Sequence, residues 1–403
     1  MSTQQTKLRR VPQGPDEATL SPRPAGLCGS SQTRYRWSFD GLPNTQEMVS
    51  LILRNFAPLG ETESGVGNSY LYSPRICGSW VTALPELTTD VTRHFAGCLD
   101  SAVSTLALSI TAHRSQEDLF QVASIQYESS IHHLVRNLAV AGNIYRNELV
   151  AAVMCLALSE ALLPISPVSW LVHVEGVSNM IQLSPPESFE SGVEHTLFIG
   201  FRPLLILKAF ILRKATFFAN DEWVEKPFQH HQAAPLQSLL SLAARIPAIL
   251  EKIDNLAHVS LETSVKYGKE RITELMETKS CLETWHSSFL NSTSAPQYWH
   301  CMPDNALESG HQLLWYPDLS TANVFTYFWS FQLICLTNIQ SLREQYPDLE
   351  KPEQIAADDI EGLRDTCFPL QTACKAFDSD AKGRAVLETL DHTVIVRSRI
   401  QNI

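Results

Sequence analysis

The sequence predicts an all-α fold: a multi-helix body of antiparallel packed helices behind a disordered N-terminal segment. Three observations carry that expectation. From Trp80 onward, apolar residues recur at intervals of three and four, the spacing of one helix face. Period-two alternation is sparse, with only short β-branched runs such as Thr393 to Val396. The segment 148–163 is apolar on nearly all sides, as a helix at the centre of a helical body would be. At 403 residues, 44% of them hydrophobic and 18% charged, the chain is long enough to bury a large core.

Each element follows from its own residues. Residues 1–40 are rich in Pro, Gly, Ser, Thr and Gln, which predicts disorder and sets them apart from the helical body, 41–403. A short helix is expected from near Asn44 through Met48, Leu51, Ile52 and Phe56. Residues 58–79, with Gly60, Gly65, Gly67, Gly78 and Pro74, read as loop. The Gly-Val-Gly at Gly65 lacks the third glycine and the preceding apolar strand of a nucleotide fingerprint. Segment 90–112 is apolar at Phe95, Leu99, Val103, Leu106 and Ile110, and segment 117–141 at Phe120, Ala123, Tyr127, Ile131, Leu134 and Leu138. Segment 148–163 is apolar on nearly all sides, which places it at the centre. Pro167 and Ser169 mark the start of the next helix, and Pro185-Pro186 its stop. Further helices are expected at 193–219, 235–253, 262–290, 319–346 and 355–378. No repeat of fixed period is present.

Composition narrows the function. The net charge is −12, and residues 1–40 hold six basic residues against three acidic ones, so the remainder carries −15. An acidic body repels phosphate backbones, which argues against autonomous nucleic-acid binding. The start MSTQQTKLRR lacks the apolar run of a secretory signal. The longest apolar runs, Leu149 to Leu163 and Pro203 to Leu212, are interrupted by Glu160 and Lys208 and fall short of the ~18–20 residues of a bilayer span, so no membrane association is expected. The nine widely spaced cysteines include no Cys-x-x-Cys pair and read as reduced, core-filling thiols.

The candidate anchors are few. Trp170, His173, Val174, Val177 and Ile181 share a helix face. They read as a core helix in which Trp170 packs and His173 hydrogen-bonds a neighbour, or as a ligand-facing patch with His173 as its polar anchor. Gly176 would permit close helix–helix approach. Glu160 sits in an otherwise apolar helix, and a buried carboxylate must be paired; Arg202 is the expected partner. The pairs His132-His133 and His230-His231 are expected at the surface, since helix neighbours point ~100° apart and cannot easily share one metal. Asp358-Asp359-Ile360-Glu361-Gly362 has glycine where a magnesium-holding aspartate motif needs its fifth-position carboxylate. No Gly-x-Ser-x-Gly elbow and no phosphate loop occur, so no catalytic residue, cofactor or metal is expected.

The stretch from about Glu117 to Pro227 resembles the regulatory domain of fungal zinc-cluster transcription factors. The resemblance rests on Ala123, Tyr127 and Leu134; on Leu149 to Glu160; on Trp170, His173 and Gly176; on Ser191-Gly192, His195, Leu197-Phe198 and Arg202; and on Arg213-Lys214, Phe217-Phe218 and Trp223. Ser73 to Trp80 with Leu84-Pro85 looks like the entry to that domain, and Ile246-Pro247 extends it. Relatives of this kind carry an N-terminal cluster of six cysteines, whereas here Cys28 stands alone in the first 70 residues. One thiolate cannot hold two zinc ions, so direct sequence-specific DNA binding is not expected. The cluster has been lost or lies outside this sequence.

The resemblance implies a nuclear, non-enzymatic regulator of transcription. Its expected partners are a full-length zinc-cluster factor or the transcription machinery, with a second copy of the chain and a small apolar ligand as further candidates. The competing expectation is a helical enzyme or carrier for an apolar metabolite.

Overall fold

The first described helix begins where the sequence supplies a cap. Asn44 Oδ1 accepts from the Glu47 amide (3.0 Å) and Glu47 Oε2 accepts from the Asn44 amide (3.1 Å), a reciprocal capping box opening α1, Thr45–Phe56. The computed structural model describes residues 44–57, 79–90, 92–114, 118–142, 144–163, 170–258, 260–292, 296–301, 313–317 and 319–346. The expectations for residues 1–40, for the loop 58–78, for the Pro167–Ser169 start signal and for a helix at 355–378 lie outside those residues.

A 3-10 turn, Ser79–Ala83, leads into α2, Leu84–Thr89. Then come α3, Ala96–Arg114; α4, Asp118–Ala141; α5, Asn147–Leu162; and α6, Trp170–Ile181. After a 3-10 turn at Pro186–Phe189 follows α7, Gly192–Leu212. Short elements, including α8, Asp221–Glu225, lead to α9, Pro235–Ala243, and α10, Ile246–Asp254. The long α11, Leu261–Asn291, and α12, Leu319–Gln345, complete the set. The fold is all-α. Among the described residues the single sheet is a ladder of two three-residue strands, β1 (Trp299–Cys301) and β2 (Leu313–Trp315), antiparallel with Trp299 opposite Trp315.

Helix α5 is the centre, as its all-round apolar sequence requires: every residue from Leu149 to Glu160 is buried. It lies against α3, α4, α6 and α7. Where α3 meets α4, small hydroxyl residues replace bulk. Ser130 Oγ sits 2.6 Å from Ser101 Oγ and 2.7 Å from Thr105 Oγ1.

Two expected helices are each divided. The segment 193–219 ends as a helix at Leu212, because Arg213 adopts the left-handed conformation (φ 51°) as C-cap. Its guanidinium is held by Asp254 (2.8 Å) and Asn338 (3.3 Å). The segment 235–253 breaks at Ala244–Arg245, where Pro247 lacks an amide hydrogen and its ring would clash with the carbonyl four residues back, that of Ala243. Helix α7, at 21 residues, is long and apolar enough on length and composition to cross a membrane, a longer apolar element than the sequence runs suggested. Most of it is buried against its neighbours here, as a core helix would be.

Helices α11 and α12 run antiparallel. Buried and half-buried residues of α11 recur at 272, 275, 279, 282, 286 and 289, and those of α12 at 325, 328, 332, 335, 339 and 342, the alternating three-and-four spacing of a coiled-coil interface. Phe289 meets Phe325 (ring centroids 6.0 Å), His286 stacks on Phe328 (4.3 Å), and Gln332 Nε2 donates to the Lys279 carbonyl (3.4 Å).

The candidate functional site: two buried polar centres

The first centre is built by α4, α5 and α6. Tyr127 projects from α4 toward the last turn of α5, where Glu160 is buried. The Tyr127 hydroxyl donates to Glu160 Oε1 and lies 2.8 Å from His173 Nε2, which is itself 3.5 Å from Glu160 Oε1. The single phenolic proton goes to the carboxylate, so the second bond requires His173 to carry a proton on Nε2 and donate it to the Tyr127 oxygen. Burial first, and then the hydrogen bond to Glu160, pushes the Tyr127 hydroxyl far above the ordinary phenol range, so it stays neutral.

The expected Glu160–Arg202 pair does not form. Glu160 faces α4 and α6, whereas Arg202 leaves α7 toward α9. Glu160 Oε1 accepts instead from a tyrosine that the sequence offered only as a member of a core stripe. Trp170 begins α6 and is buried in the main core, one helical turn before His173. The face shared by Trp170, Val174, Val177 and Ile181 is the buried one, with His173 half-buried at its edge. His132, His133, His230 and His231 are exposed. Gly176 does not mark a close approach, because an added Cβ would meet only Val153 Cγ1, at 3.8 Å. The tight contact is at Gly200, where a Cβ would lie 2.5 Å from the Trp80 backbone nitrogen.

The second centre surrounds Arg202. Its side chain is fully buried, and no carboxylate accompanies it among the described residues. Nη1 donates to the Gln237 carbonyl (2.9 Å) and to Gln237 Oε1 (3.2 Å), and Nη2 donates to Ser241 Oγ (2.9 Å). Phe198, Phe218 and Phe228 offer their rings at 5.8, 5.9 and 5.4 Å. Burial lowers the guanidinium to about 9, so it remains a cation at neutral pH.

Gln237 has a second duty, set by the residue after Arg202. Pro203 lies inside α7 and has no amide hydrogen for the Ile199 carbonyl four residues back. Gln237 Nε2 donates to that carbonyl instead, at 2.8 Å. One glutamine thus serves both the backbone acceptor left open by the proline and the buried cation beside it. Its position, 35 residues after Arg202 in sequence, gave no sign of this role.

Among the described residues, no group of three or more His, Cys, Asp or Glu side chains is arranged to hold a metal ion. The two centres define an all-α protein with a Tyr–Glu–His network at one helix junction and a caged arginine at another. No protein-family model matches the chain, and no solved structure matches it. It is similar to a curated protein of Emericella nidulans named "Uncharacterized protein AN5342", with 26% identity over 150 residues, 37% of this chain and 31% of that protein. The chain thus aligns with about a third of that relative's length.

Proposed function

We propose that this chain is a transcriptional regulator of fungal type. It would act in the nucleus through protein partners and respond to a small apolar ligand, without a zinc-cluster DNA-binding module of its own. The observation that carries the reading is the set of residues behind the resemblance. Tyr127, Glu160 and His173 meet in one buried network, while Phe198, Arg202 and Phe218 meet in the other. These six of the residues behind the resemblance thus take part in polar contacts between helices, which supports the reading. The fungal origin of the relative is in keeping with this reading. So is the way Tyr127 and His173 direct their hydrogen bonds inward, as structural anchors do, toward each other and Glu160.

The test is a tagged copy and a deletion strain. The reading expects nuclear accumulation and altered transcript levels for a limited gene set. A strictly cytosolic protein, unchanged transcripts and one accumulating metabolite would overturn it in favour of an enzyme or carrier.

A further inference from the structure

The outer face of α4 is unlike the rest of the surface. Ten large apolar side chains are exposed among the described residues, and four of them fall within twenty positions: Ile125 (61% exposed), Val135 (62%), Val140 (77%) and Ile144 (53%). Ile125, Val135 and Val140 stand on α4, and Ile144 follows three residues after its end. At ~100° per residue, Ile125, His132, Arg136 and Ala139 line the middle of this face, with Val135 and Val140 on its two flanks. All of them are exposed.

The charge of this stretch is also out of character. In a chain of net −12, no aspartate or glutamate occurs between Glu128 and Glu148. The same stretch carries exposed His132, His133, Arg136 and Arg146. Arg136 and Arg146 make no ion pair within the protein among the described residues. Exposed aliphatic side chains cost solubility, and the cationic margin that follows Glu128, free of acids from residue 129 to 147, selects the sign of what can cover them.

We propose that this α4 face is a docking surface for an acidic segment studded with apolar residues on a partner protein. The inference rests on the reading that the chain acts through partners, and it names the chemistry of one. Charge complementarity favours a peptide over an anionic membrane. Two arginines are too few for lipid-surface binding, which typically takes clusters of about four to eight Lys or Arg.

The experiment uses the purified full chain and a fluorescent synthetic 20-residue peptide alternating Asp/Glu pairs with Leu and Phe. A peptide with Gln and Asn in place of the acids serves as control, and phosphatidylserine vesicles as a third probe. Saturable binding of the acidic peptide is expected, weakened about tenfold by Arg136→Glu and by Val140→Ser. Both sites are exposed, so unchanged melting temperatures show that the fold is intact; if Val140→Ser alone unfolds, Arg136→Glu decides. Equal binding of the uncharged peptide, or equal affinity in Arg136→Glu, overturns the proposal. So does a preference for vesicles over the peptide, which would assign the face to a membrane. Because the readout involves no transcripts, failure here leaves the transcriptional reading to its own test.

Discussion

Gln237→Met should be among the more damaging polar substitutions in the core, and the damage should depend on Pro203. Methionine keeps the length and much of the volume but neither donates to Ile199 O nor accepts from Arg202. The 2.8 Å bond to Ile199 is the replacement donor for a carbonyl that Pro203 leaves open. Stranding a buried carbonyl costs about 1–3 kcal/mol. The 3.2 Å contact with Arg202 Nη1 is longer, and Nη1 keeps the Gln237 backbone carbonyl at 2.9 Å, so its loss adds about 1 kcal/mol or somewhat more. A total of about 2–4 kcal/mol follows. Pro203→Ala gives α7 an amide hydrogen that can reach Ile199 O, so in that background only the Arg202 part remains. A double-mutant cycle by urea denaturation should therefore show coupling of about 1–3 kcal/mol, with Gln237→Met milder when residue 203 is alanine. Additivity within about 0.5 kcal/mol would refute the idea that glutamine substitutes for the missing helix bond.

The other expectations concern the first centre and the tyrosines. Tyr127→Phe and Glu160→Gln should each destabilise by about 1–3 kcal/mol and be coupled to each other, whereas Glu160→Gln and Arg202→Met should add independently. Coupling between Glu160 and Arg202 would restore the pair that the structure does not contain. Tyr316 is pushed up to about 12 by burial, and Tyr127 and Tyr145 are raised further, mainly by burial. Because their folded-state proton affinity lies above the ordinary phenol value near ~10, their contribution is fully present below that pH. It is lost as pH rises from there, through about 12 for Tyr316 and beyond it for the other two. Absorbance at 295 nm should therefore show these three phenols still protonated at pH ~10 while the fold is intact; their reversible ionisation near pH ~10 in the folded protein would contradict their placement.

Most of the helical inventory was legible because helix periodicity is a local property. The stripe through Phe120 and Tyr127, the all-apolar α5 and the helix start near Asn44 all state themselves within one or two turns of sequence. The division at Pro247 was not read from the sequence, because a proline alone does not fix a break: Pro203 stands inside the unbroken α7. Nor was the division at Arg213. Arginine is no signal for the left-handed conformation, and the side chains that hold it there come from positions 254 and 338. The candidate site divides the same way. That buried Glu160 needed a partner followed from its apolar surroundings, but the choice between Tyr127 and Arg202 depends on which way α4 and α7 face. The strand pair at 299–301 and 313–315 was missed because three residues give no measurable alternation.

Helix α7 shows why such polar contacts matter in a core this apolar. Its surface is apolar nearly all round, so hydrophobic burial alone would accept several rotations about its axis. Two features remove that freedom. At Gly200 the backbone of the 3-10 turn at Ser79–Ala83 comes so close that no side chain fits. Two residues on, about 200° around the helix, Arg202 makes directional bonds to α9. The helix is therefore held from opposite sides, by a contact that tolerates only glycine and by one that needs a guanidinium. Turning α7 by one residue, about 100°, would press the side chain of Ile199 or of Phe201 into the Trp80 backbone, depending on the direction of the turn. Either turn would also carry Arg202 away from Gln237 and Ser241.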